Sequence, residues 1–547
     1  MKKIKLCISA LLLLGSGVLL AQGGMDAYRF SQIDVNGSAR SISMGGAFGA
    51  LGGDMSAMSH NPAGIGIYRS SEIQTTININ SSNAESNWTG LNNNVRRTKV
   101  GFDNLSYVGY FPTANDRGIK GWNIGIAYNK IKDFNRSYRA VGRPLFSMAD
   151  YVASNASNAY GKNGGIPEKD LILTNSYDPY NNRHLDGQWL SILGYESGFF
   201  GAKYNFPDVS DVYHSAFGQW KGSTWTPYSP DNTTLRVGES GSINEYNFTV
   251  ATNISDFLFL GANLGITTID YRMSSWYNEE FGSTDYLILG NTLETNGTGY
   301  SINIGAIVRP IDQLRLGVAY NSPKWYVLTD RFNAFGESYV ASDKESPLMR
   351  ESIPNNSFAE YNLQSPGRWI FSAAGIIGNM ALVSLDYELT SYHNMLLSDR
   401  DFNRGVYQFD NDIIKQDFKV AQTLKAGAEL KITPRFAIRG GFVWQQTPME
   451  KHLINNDVVV YTAGTIPHFT TSNCANYYTA GLGYRFTPNF YMDLAYVYRI
   501  QKEKLYPFSS TSSDWYYPEF HLEPVHSEPA NVSVKTTRVA LTLGYKF

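Results

Sequence analysis

Apolar and polar residues alternate with a period of two over much of this chain, the pattern of β-strands whose two faces meet different surroundings. At the end of the chain Val539, Leu541, Leu543, Tyr545 and Phe547 share one side, while Ala540, Thr542, Gly544 and Lys546 share the other. Leu424 and Leu430 likewise alternate with Lys425 and Glu429, Leu494 and Tyr496 with Asp493 and Ala495, and Val383 and Leu385 with Ser384 and Asp386. Such runs come in pairs joined by short turns. Strands are predicted at 72–83, 99–111 and 121–139, and then, after a long insertion at 140–241, at 242–253 and 258–277. Further pairs follow at 297–309 and 314–332, 366–377 and 380–396, 419–432 and 436–446, and 475–486 and 490–502, with 534–547 closing the chain. That makes about fourteen strands, an even number within the range of bacterial membrane barrels. Short turns such as Thr433-Pro434-Arg435 recur at one end and long polar loops at the other, as expected of turns facing the periplasm and loops facing outward.

A secreted sandwich would also alternate. Past the leader, however, no stretch offers eighteen uninterrupted apolar residues, so no helix is expected to span a bilayer. The chain carries 50 Gly, 37 Tyr, 29 Phe and 10 Trp, and in lipid only helices and closed barrels satisfy every backbone amide and carbonyl. Apolar residues facing lipid, with charges of both signs facing a lumen, account for the alternating runs. The aromatic-alternating last strand ending in Phe547 looks like the carboxy-terminal signature of outer-membrane barrels.

Residues 1–21 read as a secretory signal peptide, with Lys2, Lys3 and Lys5 ahead of an apolar core and Ala21 at its end. Its removal takes Cys7 and leaves Cys474, so no internal disulfide is expected. A net charge of -2 excludes a basic surface suited to nucleic acid.

The stretch from Ser38 to Ile67 is too apolar and too rich in glycine for an ordinary linker. Gly45, Gly46, Gly49, Gly52 and Gly53 permit backbone angles and close approaches that a Cβ forbids, and Met44, Phe48, Leu51, Met55 and Met58 supply apolar contacts. Asn61-Pro62 reads as a turn. Met44-Gly45-Gly46-Ala47-Phe48, followed by Asn61-Pro62-Ala63-Gly64 just ahead of the first strand, resembles the amino-terminal hatch of the FadL/OmpP1/TodX family of outer-membrane transporters for hydrophobic compounds. The run at 310–323 and Ser365-Pro366-Gly367-Arg368-Trp369 resemble the same family.

The resemblance implies an all-β fold, a transmembrane antiparallel barrel of about 14 strands at 71–547 with an N-terminal hatch, 22–70, plugging its lumen. It gives the hatch role to Gly45, Gly46, Phe48, Asn61, Pro62 and Ala63. It implies passive transport of long-chain fatty acids or aromatic hydrocarbons, captured at extracellular loops, with hatch rearrangement and a kinked third strand opening sideways into the bilayer. Tyr128-Asn129-Lys130 and Phe134-Asn135 are where that strand has room for a bulge. The expected partners are membrane lipid, a hydrophobic small-molecule ligand and the outer-membrane assembly machinery, with the barrel a monomer lacking a cofactor. The insertion at 140–241 is longer than the resemblance leads one to expect.

Within that insertion Leu145, Met148 and Val152 fall on one side of a short helix, and Leu185, Trp189, Ile192 and Leu193 fit helical spacing. These pieces are expected either to pack on each other and seal the barrel mouth or to present, with Phe146, an apolar groove for hydrophobic ligands. His521 and His526 flank Glu523, but no third metal ligand is fixed nearby and a solvated loop is expected. His60 is expected to hydrogen-bond within the hatch, and Lys425, Lys431 and Arg499 to set the electrostatics of the lumen. No Gly-x-Ser-x-Gly elbow occurs, so an embedded hydrolase finds no support. The alternative to a transporter is a barrel that docks partners of a protein secretion system.

Overall fold

The computed structural model describes residues 23–547 apart from positions 114, 116, 160–163, 183–184, 186–187, 205–210, 223, 345–346, 356, 379, 463 and 512–523. The signal-peptide reading, and the readings of His521 and Glu523, therefore fall outside the described residues. Fourteen antiparallel staves form the wall. They are β1 (Glu72–Trp88), β2 (Leu91–Pro112), β3 (Ile119–Asp133 continued by Arg136–Gly142), β4 (Asn232–Ile254), β5 (Leu258–Phe281), β6 (Asp285–Ile311) and β7 (Leu314–Asn321 continued by Trp325–Tyr339). The remainder are β8 (Ser357–Gln364 continued by Arg368–Ile377), β9 (Ala381–Ser391 continued by Leu396–Asp399), β10 (Val420–Lys431), β11 (Phe436–Gln445), β12 (Phe469–Arg485), β13 (Phe490–Tyr506) and β14 (Ala530–Lys546). Each stave pairs with the next in sequence, and β14 returns to β1 over Glu72↔Lys546 to Asn87↔Asn531. Closure leaves no stave with a wholly unpaired side, in keeping with what lipid demands.

Alternation decides which way each side chain points. On β14, Val539, Leu543 and Tyr545 are exposed while Ala540 and Thr542 are buried, and β9, β10 and β13 divide as the sequence predicts. The exposed rows, such as Phe248 and Val250 on β4, Leu264 and Ile266 on β5 and Ile302 and Ile304 on β6, make a continuous apolar belt. Aromatic groups border it. Phe102, Tyr128 and Tyr246 pack together on the side of the long loops, with Tyr300 against Trp325, and Tyr484, Phe486 and Phe490 cluster on the side of the short turns.

The staves outrun the belt on the long-loop side, so the insertion is shorter than the sequence led us to expect. Residues 140–142 belong to β3 and 232–241 to β4, which confines it to 143–231. There α3 (Met148–Ser157) and α4 (Trp189–Glu196) lie together, the latter so close that a Cβ on Gly194 would meet Val152 at 2.7 Å. Glu279 of β5 holds the start of α3 by accepting from Ser147 Oγ at 2.5 Å and Met148 N at 2.9 Å.

The leader occupies the bore. Its helix α1 (Gly24–Ser31) lies at the long-loop end, where Tyr28 packs on Tyr392 and Phe418 next to α5 (Gln408–Asp417). The chain then descends through Asp34 and Val35 to α2 (Ala39–Ser43) and the hatch, which fills the short-turn end before joining β1.

Candidate functional site

The hatch is seated directly on the wall backbone. Gly261, Gly305, Gly317, Gly427, Gly441 and Gly481, one each from six staves, face inward where a Cβ would lie 1.9–2.5 Å from atoms of residues 43–62. No side chain fits between the two layers. Gly45 and Gly46 turn the hatch with φ of +67° and +70°, the left-handed region that glycine adopts without a Cβ clash. Asn61 caps the turn Pro62–Ile67 by accepting from Ala63 N at 3.2 Å, and its amide donates to Gly49 O at 2.6 Å and to Ala306 O on β6 at 3.3 Å. Phe48, Asn61, Pro62 and Ala63 are buried. Charges add to the seat: Arg40 pairs with Glu429 at 2.9 Å, and Asp386 accepts from Gly49 N at 2.9 Å. His60 makes the hydrogen bond expected of it, Nδ1 to Ser56 O at 3.0 Å.

Above the hatch the wall is unzipped. The ladder between β2 and β3 runs from Pro112↔Gly121 to Asn104↔Asn129 and stops. Beyond that point β2 pairs with β1 alone and β3 with β4 alone, leaving Gly101 to Asp103 facing Lys130 to Asp133 across a seam. Phe134 and Asn135, one of the two places flagged in the sequence, form the break in β3, and Ile131 is skipped in the register with β4. Opposite the break, Gly241 has φ +111°, and a Cβ there would strike Asp270 O at 2.0 Å.

The leader holds the break in place. Asp34 N donates to Ile131 O at 2.9 Å, Asp34 Oδ2 accepts from Asp133 N at 3.3 Å, and Asp34 Oδ1 pairs with Lys132 at 3.0 Å. The leader thus provides some of the polar contacts that a continued β2–β3 ladder would otherwise have made.

A cavity of about 160 Å³ sits behind the seam, between the leader and the upper staves. Met25, Tyr28, Phe134, Tyr138, Val237 and Met273 give it apolar walls. Its charges largely cancel: Arg136 pairs with Glu239 and with Glu503, the latter at 3.0 Å, and Arg538 pairs with Asp103. Arg499 is held by Tyr477 Oη at 3.0 Å and by Gln501. A second cavity of about 90 Å³ lies lower, lined by leader residues, His60, Lys425 and Glu388. Lys425 and Glu388 form a buried pair at 2.5 Å, whereas Lys431 is exposed at the short-turn end, away from both cavities.

The candidate ligand residues of the insertion lie elsewhere. Met148, Leu185, Trp189, Ile192 and Leu193 are buried in one core, Phe146 is half-buried against His526, and Leu145 is exposed ahead of α3. They do not together form an exposed groove, because α3 and α4 pack their apolar faces on each other and on β7 through Trp189 and Phe332. Apart from Phe134, Asn135 and Arg499, the sequence reading missed the cavity lining. Its residues come from the leader and several staves, brought together by a break in hydrogen bonding that leaves no periodic trace. The one local signal was Phe134-Asn135 interrupting an otherwise regular strand. Among the described residues no group of three His, Cys, Asp or Glu is placed to hold a metal ion.

Residues 225–547 match the sequence profile of the family described as outer membrane protein transport protein (OMPP1/FadL/TodX). The chain is 20% identical over 495 residues to outer membrane protein P1 of Haemophilus influenzae, covering 89% of each. Its fold is similar to that of the deltaS2 mutant of the TodX monoaromatic hydrocarbon channel, with TM-score 0.50 at 11% identity over 94% of this chain and 100% of that one. A FadL homologue of Pseudomonas aeruginosa gives TM-score 0.49 at 12% identity over 94% and 99%. With more than half of its length matched by the profile, this plugged barrel belongs to the OMPP1/FadL/TodX family of outer-membrane transport proteins.

Proposed function

We propose that the protein carries hydrophobic small molecules through the outer membrane by passive diffusion, releasing them sideways through the seam between β2 and β3. One observation carries this reading: the cavity opens toward an unpaired stretch of wall just above a hatch seated against the wall backbone. A molecule leaving downward would have to unseat the hatch from its six glycine contacts, whereas one leaving through the seam breaks no ladder hydrogen bond. Burial of apolar surface, about 0.8 kcal/mol per methylene, draws such cargo from water without any energy source.

The size of the cavity narrows the cargo. About 160 Å³ is close to the roughly 150 Å³ that accepts one benzene ring, so a single-ring aromatic fits the chamber as it stands, and a long acyl chain fits only by extending into the seam. The closed wall supports a monomer as the working unit. The buried insertion core supports sealing of the mouth rather than capture of ligand.

The test fills the seam. Gly101 faces it, and a Cβ there already approaches Lys130 Nζ at 2.9 Å. Gly101→Trp is expected to lower uptake of radiolabelled toluene into cells by about tenfold or more, since transfer depends on an open, fitted path, while the barrel keeps its heat-modifiable mobility on gels. Undiminished uptake by this folded variant would show that cargo does not use the seam.

A further inference from the structure

The outward face of the wall changes character above the apolar belt. On β5 the belt ends near Ile266, and the outward positions that follow are Thr268, Asp270, Arg272, Ser274 and Trp276. Arg272 stands six residues beyond Ile266, about 20 Å along the stave and roughly 15 Å above the belt after allowing for strand tilt. Register places its neighbours in three rows. The lowest is Arg272, Glu294 and Arg331 on β5, β6 and β7. The middle row, Ser137, Gly238, Ser274, Thr292 and Asn333, is small and polar. The upper row is Arg139, Arg236, Trp276, Gly290 and Phe335.

Together the middle and upper rows line an open groove of about 860 Å³. Its upper border is an aromatic ledge. The Trp276 and Phe335 rings lie 5.5 Å apart at 61°, Arg350 stands 5.0 Å over Phe335, and Trp276 is 42% exposed. Gly290 makes the ledge possible, since a Cβ there would meet Phe335 Cε1 at 2.2 Å.

The groove has positive charge to spare. Glu294 is engaged by Arg272 at 2.8 Å and Glu337 by Arg350 at 3.2 Å, while Glu351 stands exposed nearby and Asp270 lies one outward position below Arg272. Among the described residues, Arg139, Arg236 and Arg331 have no carboxylate partner, and Arg139 Nε is buried without an acceptor. Arg139 and Arg236 are also direct cross-strand partners. Like charges in that position repel, and an anion between them removes the repulsion. Guanidinium groups suit phosphate, which they bind through paired hydrogen bonds. Hydroxyl and amide groups below an aromatic shelf suit a sugar, whose ring has an apolar face and polar edges.

We infer that this groove binds the phosphorylated oligosaccharide headgroup of the outer-leaflet glycolipid. The lipid anchor of such a molecule packs on the belt of the same staves, so its headgroup is held beside the groove at high effective concentration. The inference depends on the barrel's place in the outer membrane and is independent of what the bore transports.

The test uses the full chain in phospholipid nanodiscs, with native mass spectrometry reading the lipid retained. Three probes are added: lipid A carrying its phosphorylated core oligosaccharide, the same lipid after phosphatase treatment, and lipid A alone. The phosphorylated core form is expected to be retained at least about tenfold more strongly than either of the others, the scale of one lost charge-assisted contact. Arg236→Glu with Arg331→Glu is expected to abolish that preference, and Trp276→Ala to weaken it, with toluene uptake unchanged in both. Equal retention of the three lipids, or variants that retain the core form as wild type does, would overturn the assignment.

Discussion

Gly305 and Gly375 lie in neighbouring parts of the wall, yet only the first is constrained to be glycine. A Cβ on Gly305 would lie 1.9 Å from Asn61 Oδ1, whereas one on Gly375, on the outward face of β8, would meet nothing within 4 Å. Gly305→Ala is therefore expected to push the hatch off its seat at about 1–3 kcal/mol, the usual range for overpacking, and Gly375→Ala to stay within about 0.5 kcal/mol. Protease cleavage of the hatch from the periplasmic side reads both, and equal resistance in the two variants would contradict the seat. A second residue-scale prediction concerns Asp150 in the first turn of α3. Burial pushes its carboxyl up to about 6, against hydrogen bonds accepted from Ser147 N and from Ser215. A raised acid stabilises the folded insertion below its ordinary value near 4, and that contribution is lost as pH rises through about 6. Hydrogen exchange of residues 148–157, corrected for intrinsic rates, should show stability falling by at most about 3 kcal/mol from pH 4 to pH 7, and Asp150→Asn should flatten that dependence.

At the scale of elements, the wall was legible and its interruptions were not. Period-two alternation is strong where one face meets lipid and the other a polar bore, so β10 and β13 could be read residue by residue. Above the belt the sense of the alternation inverts, the outward face turning polar while Tyr271, Met273, Leu289 and Leu293 face inward, and the upper half of β6 went unread. The breaks hid for another reason. Residues 314–332 read as one strand, but Ser322-Pro323-Lys324 interrupts β7 beside Ser365-Pro366-Gly367 in β8, and the two breaks bond each other through Ser365 N to Lys324 O and Lys324 N to Ser365 Oγ, both at 2.9 Å. A single strand seen alone carries no record of that mutual compensation. The hatch was legible through Gly45, Gly46 and Asn61 because local backbone demands fix those residue types, whereas the contact of Asp34 with the β3 break is a long-range pairing with no local signature. That contact yields the prediction for this scale. Asp34→Asn removes the charge that holds Lys132 at 3.0 Å, and the break should lose its fixed geometry. Toluene uptake is expected to fall about tenfold, equivalent to ~1.4 kcal/mol, with barrel stability little altered. Unchanged uptake would mean that the break is set by β3 and β4 without the leader.

For the molecule as a whole, the fit between leader and wall bears on how the protein comes to be made. The chain enters at the long-loop end, where a Cβ on Gly23 would lie 2.5 Å from Tyr461 O, and leaves the bore only at Ser71, which accepts from Phe547 N at 3.0 Å. Between Ser43 and Pro62 the hatch lies against six wall glycines with no room for a side chain, and so with no clearance for sliding there. Pushing such a segment into a finished tube would mean forcing it past six glycine contacts, whereas winding the staves around it meets no such obstacle. The join between β1 and β14 is then the last to form, and the plug acts as the mandrel on which the tube is wound.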